Sequence, residues 1–144
     1  MIIWIADNVP SSKNSKVKTS RGIFHSKTVR KYLQALGVQS FSVTRKTVLG
    51  YKTRPNNFEA LRDVFKGEIE GKSFPLKVGF HFVRKTKAKC DFHNIVQIVA
   101  DLMVAHDFIE DDNMDYFLPF PMKMDGQFYS HNKDEPGVFI KILK

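Results

Sequence analysis

The apolar run from Ile95 to Met103 constrains this chain more than any other part of it. Ile95, Val96, Ile98, Val99, Leu102 and Met103 recur at helical spacing. Together they cover most of the circumference of a helix over Phe92–Ala105, so that helix is buried on more than one side. Acidic residues bracket it. Asp91 opens the helix, and Asp111-Asp112-Asn113 follows, with Asp91 and Asp111 twenty positions apart. A helix of about fourteen residues carries the chain roughly 20 Å, and a tight return brings it back antiparallel, so the two acidic ends can meet. Carboxylates gathered at a helix start beside a returning segment offer the oxygen ligands of a divalent cation. The same residues also read as an Asp91 N-cap and an ordinary solvated turn at Asp111-Asp112-Asn113.

The rest of the chain supplies what such a helix packs against. Ile2 to Ile5 is a short β-prone run, broken by Pro10-Ser11-Ser12-Lys13-Asn14-Ser15-Lys16 into a polar, basic loop. Ser26 caps a helix over Lys27 to Leu36 with Val29, Tyr32, Leu33 and Leu36 on one face, ended by Gly37. Residues 38–51 are β-branched and basic without a clear period. After the Arg54-Pro55-Asn56-Asn57 turn, Phe58, Leu61, Val64 and Phe65 predict a second helix up to Gly67. Phe74 to Val83 alternates, with Leu76, Val78, Phe80 and Phe82 on one side and Lys77, Gly79, His81 and Val83 on the other, which predicts a half-buried strand. Arg84, Lys85, Lys87 and Lys89 then lead into Asp91. Beyond Asp112, Tyr116-Phe117-Leu118 reads as a strand, Pro119 to Gln127 as a loop or bulged edge, and Asp134-Glu135-Pro136-Gly137 as a turn into a last strand, Val138 to Leu143.

With 144 residues, 42% of them hydrophobic, and thirteen Phe, the chain is long enough for one well-filled core. The expected fold is α+β: a single domain over residues 1–144 with a mixed sheet and two to three helices. No stretch approaches eighteen apolar residues, and the start lacks the basic flank and cleavage site of a signal peptide, so the expectation is a soluble cytoplasmic protein with no membrane partner. A lone Cys90 excludes an internal disulfide and reads as a small buried spacer.

Charge is divided unevenly. Residues 1–89 carry 19 Lys and Arg against 5 acids, a net +14, while residues 90–144 carry 4 against 10, a net −6. The first half attracts a polyanion that the second half repels unless cations neutralise its carboxylates. Lys13, Asn14, Lys16, Lys18 and Arg21, with Arg84, Lys85, Lys87 and Lys89, are the candidate phosphate contacts. A plain solvated surface accounts for the same loop residues.

Taken together, the pattern resembles the RusA family of Holliday-junction resolvases. That family's D-x-D-N motif, the basic residue expected one turn later, the following helical turn and the D-D pair correspond here to Asp91-Phe92-His93-Asn94, Gln97, Asp101-Leu102 and Asp111-Asp112. Val9-Pro10-Ser11-Ser12-Lys13-Asn14 looks like the family's P-x-S-x-N loop, and Asp134-Glu135-Pro136-Gly137-Val138 like its closing segment. The likeness is good over residues 90–116, weaker at both ends and absent over about 38–72, which look like an insertion. It implies a RusA-like fold and a homodimeric, Mg²⁺- or Mn²⁺-dependent endodeoxyribonuclease that resolves four-way DNA junctions in recombination or repair. Asp91, His93, Asp111 and Asp112 would be its catalytic and metal-ligating residues. Two positions depart. His93 supplies a neutral nitrogen where Mg²⁺ favours charged oxygen, and Gln97 cannot stabilise growing phosphate charge as a lysine would. The alternative is therefore a RusA-like junction-binding protein that has lost its chemistry. His93 reads equally as a ligand or base and as a solvent-facing first-turn residue. Phe117, Phe120 and Phe128 read as a dimer interface or as further core.

Overall fold

The computed structural model describes residues 2–10, 16–19, 22–25, 32, 58–89 and 91–144, with 16–19 and 22–25 described by their backbone alone. Among these residues the elements in chain order are β1 (Ile2–Ala6), β2 (Lys16–Thr19), β3 (Gly22–His25), α1 (Phe58–Ile69), β4 (Leu76–Arg84), α2 (Phe92–Ala105), β5 (Phe117–Pro121), β6 (Tyr129–His131) and β7 (Gly137–Ile142). Five strands form one sheet in the order β1-β7-β4-β5, with β6 also paired to β4. β7 runs antiparallel to both β1 and β4, while β5 and β6 run parallel to β4. The result is a mixed sheet in a single small α+β domain, with two helices among the described residues. β2 and β3 form a separate antiparallel ribbon, Lys16 opposite His25 and Thr19 opposite Gly22. The sequence reading has Lys16 closing a polar loop; instead a strand begins there, where the β-prone Val17, Ile23 and Phe24 enter two short runs.

β4 is the centre of the molecule. The sequence predicts a half-buried strand from Phe74; the strand begins at Leu76 and is buried on both faces, with only Lys77 exposed. Val78, Phe80 and Phe82 alternate with residues of the other face, and Phe80 lies against Phe117 and Phe92 at 5.8 and 6.5 Å between ring centroids. The second face is covered from positions distant in sequence. A Cβ on Gly79 would lie 3.1 Å from Leu143 and 3.3 Å from Met122. His81, 1% exposed, donates from Nδ1 to the Met122 carbonyl (2.9 Å) and accepts at Nε2 from the Ser130 hydroxyl (2.6 Å). No alternation pattern along β4 itself can announce those covers.

The helix over Phe92–Ala105 forms with the expected bounds, and Ile95, Val96, Ile98, Val99, Ala100, Leu102 and Met103 are buried. It makes the crossover that a parallel β4–β5 pair requires. The amides of Asp107 and Phe108 donate to the carbonyls of Val104 (3.1 Å) and Met103 (2.8 Å), closing the helix in a Schellman arrangement. Asp107 occupies the left-handed position, at φ 62°, where glycine is unstrained. Asp107→Gly should therefore raise stability by about 0.5–1 kcal/mol, read from the urea midpoint at constant slope, since the exposed ion pair it gives up with Lys66 is worth little.

Helix α1 runs past Gly67 to Ile69, and the turn that ends it places Gly71 at φ 77° with the Lys72 amide on the Ile69 carbonyl. Phe65 is buried beside Phe108, and Phe58 stacks on His106 at 4.0 Å. The end of the stretch that looks like an insertion is thus packed on the core; residues 38–57 lie outside the described ones. Of the helix expected over Lys27–Leu36, only Tyr32 is described, helical and buried. Cys90 also lies outside. β5 extends through Pro119 to Pro121, where a loop or bulged edge is expected; two prolines are tolerated because β5 is an edge strand. β7 follows a turn in which the Asn132 side-chain carbonyl accepts the amides of Asp134 and Glu135. No helix of the described residues is long and apolar enough to cross a membrane.

Candidate functional site

The polar stripe of α2 carries the site. Ile95, Val96, Ile98, Val99, Ala100, Leu102 and Met103 face the core, and Asp91, Asn94, Gln97 and Asp101, three or four positions apart, share the opposite face. Asp91 stands at the N-cap position with extended backbone, φ −95° and ψ 130°, yet its carboxylate makes no capping bond to the helix amides. It accepts instead from the Asn94 side-chain amide at 3.1 Å. The N-cap reading is thus right about place and wrong about the bond. One and a half turns on, the Gln97 amide nitrogen donates to Asp101 Oδ1 at 3.1 Å and to Asp112 Oδ2 at 3.2 Å. The segment after α2 therefore returns along the helix, but it meets it through Asp112 at Gln97, where the sequence reading brings Asp111 to Asp91.

The two neighbouring acids separate in role. Asp111 turns onto its own loop, accepting the Asp112 amide at 2.7 Å and the Asn113 side-chain amide at 3.0 Å. That is the turn chemistry the sequence offers for it. Asp112, half-buried, is the acid that faces the helix. His93 is exposed on the first turn of α2. Carboxylates with one imidazole suit Mn²⁺ better than Mg²⁺, which favours oxygen throughout. Their arrangement is another matter: the described residues hold no group of three or more His, Cys, Asp or Glu that could bind a metal ion. Asp91 is bonded to Asn94 and Asp111 to its own turn, while Asp101 and Asp112 share the Gln97 amide, so the arrangement does not fit a closed metal shell. In the sequence Asp101 stands out only through the resemblance noted above; its i, i+4 spacing from Gln97 is the signal that pairs them.

The basic residues divide as well. Lys85, Lys87 and Lys89 are exposed on the segment between β4 and Asp91. Arg84, expected among the phosphate contacts, is 9% exposed and donates from a terminal nitrogen to the Val9 carbonyl at 2.5 Å. Its charge is directed into the protein, because the alternation of β4 ends with that side chain under the Val9-Pro10 segment. Lys16 and Lys18 lie on β2, of which only the backbone is described; Lys13, Asn14 and Arg21 lie outside the described residues. A groove of about 910 Å³ opens on the sheet face away from α2, lined by Trp4, Phe139, His131, Asp134 and Glu135 among others. It contains none of Asp91, His93, Asp111 and Asp112.

No protein-family model matches the chain, and no curated protein matches it.

Proposed function

We propose that the chain is a RusA-like, structure-selective endodeoxyribonuclease that acts as a homodimer on four-way DNA junctions in recombination or repair. One observation carries the reading. The Gln97 amide joins Asp101 to Asp112, eleven positions further on, so two separated pieces of the acidic motif lie together on the exposed face of α2. The exposed lysines 85, 87 and 89 precede Asp91 directly, which sets cations for the DNA backbone beside carboxylates for chemistry. Phe117 is core, but Phe120 and Phe128 are 42% and 54% exposed near the β5–β6 edge, where a two-fold interface has apolar surface to bury.

The test is the full chain, in excess over a synthetic four-way junction, with Mg²⁺ or Mn²⁺. Paired nicks in opposed strands, with linear duplex left intact, are expected; no product under either metal refutes cleavage. Light scattering at micromolar concentration should give a dimer, and a monomer there refutes the two-fold arrangement.

A second reading, junction binding without cleavage, is favoured by the same glutamine. It stands at the position of the family's basic residue, and it engages two carboxylates as a neutral amide. His93→Asp combined with Gln97→Lys separates the readings: a double variant that cuts where the parent does not identifies a site that has lost its chemistry.

A further inference from the structure

The shape of the groove on the sheet face away from α2 follows from the register. Ala6, Gly137, Val83 and Ser130 stand in one row across β1, β7, β4 and β6. All four are short, while the next row carries Trp4 opposite Phe139 and Phe139 opposite His81. A row of short side chains beside a row of rings leaves a channel, the groove of about 910 Å³. Trp4 leans into it: a Cβ on Gly137 would overlap the six-membered ring, so only glycine lets the indole lie there.

The far wall is acidic. Asp134 and Glu135 line the groove from the turn before β7, both exposed, and neither carboxylate has a hydrogen-bond or ion-pair partner among the described residues. Asp7 lines it too, tied to that turn by its amide on the Pro136 carbonyl at 2.9 Å. Among the described residues no lysine or arginine lines the groove, and Lys133, in the same turn, lies outside it. On a chain of net charge +8 this is a local reversal of sign. An aromatic face opposite carboxylates is complementary to a cation. It suits a guanidinium better than an ammonium, since that plane stacks on an indole while its edge forks to a carboxylate. The four strands span about 14 Å at roughly 4.8 Å between neighbours, the reach of about four residues of extended chain. A lone small cation fills only the Trp4 end of such a channel.

We propose that this groove binds an extended, arginine-bearing segment of a partner protein, with a guanidinium between Trp4 and the wall of Asp134 and Glu135. The site is independent of the nuclease reading, because no residue lining it belongs to the acidic face of α2.

Trp4 is the only tryptophan, so its emission reports occupancy of the groove directly. Titration of the full chain with the capped peptide Gly-Arg-Arg-Gly should give a saturable change, against the repulsion of the net positive charge, and the affinity should fall as salt rises. The same peptide with citrulline for arginine keeps the shape, loses the charge and should bind about tenfold more weakly. Asp134→Asn combined with Glu135→Gln should lower affinity for the arginine peptide about tenfold and leave the melting temperature near the parent's, both side chains being exposed. No saturable response at millimolar peptide, by emission or by calorimetry, overturns the proposal. So does a citrulline peptide bound as well as the arginine one, which makes the groove merely apolar, or a double variant that binds like the parent. Emission that shifts with protein concentration alone marks a second copy as the occupant, and a response to single-stranded tetrathymidylate in place of the peptide marks a nucleic acid; each overturns the partner-protein reading.

Discussion

Phe80→Ala should cost the domain about 3–5 kcal/mol, a third or more of the stability of an ordinary small domain. Phe80 has no exposed surface, lies on the central strand, and touches rings from three other positions: Phe82 at 6.2 Å, Phe92 at 6.5 Å and Phe117 at 5.8 Å between centroids. Those neighbours belong to β4 itself, the first turn of α2 and the first residue of β5. Removing the ring leaves a cavity at the point where the crossover packs on the sheet, and rigid strands on both sides limit collapse into it. Urea unfolding should show the midpoint falling at unchanged slope. A loss below about 1 kcal/mol would mean that the crossover can close the space, and would contradict the packing described for β4.

The same residues show why some of the fold was legible and some was not. α2 was readable to its bounds because its apolar residues exceed what one helix face can hold, a property of the local sequence alone. The double burial of β4 was not, because Met122, Ser130 and Phe139, which cover its second face, lie about forty to sixty positions away and nothing in Gly79 or His81 signals them. β5 was cut short in the reading by Pro119 and Pro121, whose cost vanishes once the strand lies at an edge, a fact of topology rather than of composition. Gly67 read as a helix stop, but a glycine inside a helix costs only about 1 kcal/mol, and the packing of Ile69 beyond it against the core outweighs that. In the site, the return of the acidic segment along α2 was legible, but the contact it makes is between Asp112 and Gln97 in mid-helix, not between Asp111 and Asp91 at the helix start. Which acid of the pair meets the helix was not, since Asp111 and Asp112 differ only in how the turn before β5 aims them. Arg84 looked like its lysine neighbours in a list of charges, and only the register of β1 and β4 turns it inward.

Asp112→Asn and Asp91→Asn should each lower junction cleavage by about a hundredfold or more, while leaving junction affinity unchanged or slightly improved. The direction of the second effect follows from charge: under the proposed function each change removes a negative group from the face that DNA would approach, so ground-state binding does not suffer. The size of the first follows from position. Asp91 lies at the head of α2 with its carboxylate free of the helix amides, and Asp112 is the acid that meets Gln97 on the same face. Asp111→Asn should behave differently. Its carboxylate serves its own turn, through the Asp112 amide and the Asn113 side chain, so the loss should appear as about 1 kcal/mol of stability and only a small change in rate. Single-turnover cleavage and urea unfolding on the three variants measure both quantities. Equal losses of rate for Asp111→Asn and Asp112→Asn would put both carboxylates at the scissile phosphate, and the distinction drawn from the Gln97 bond would fall.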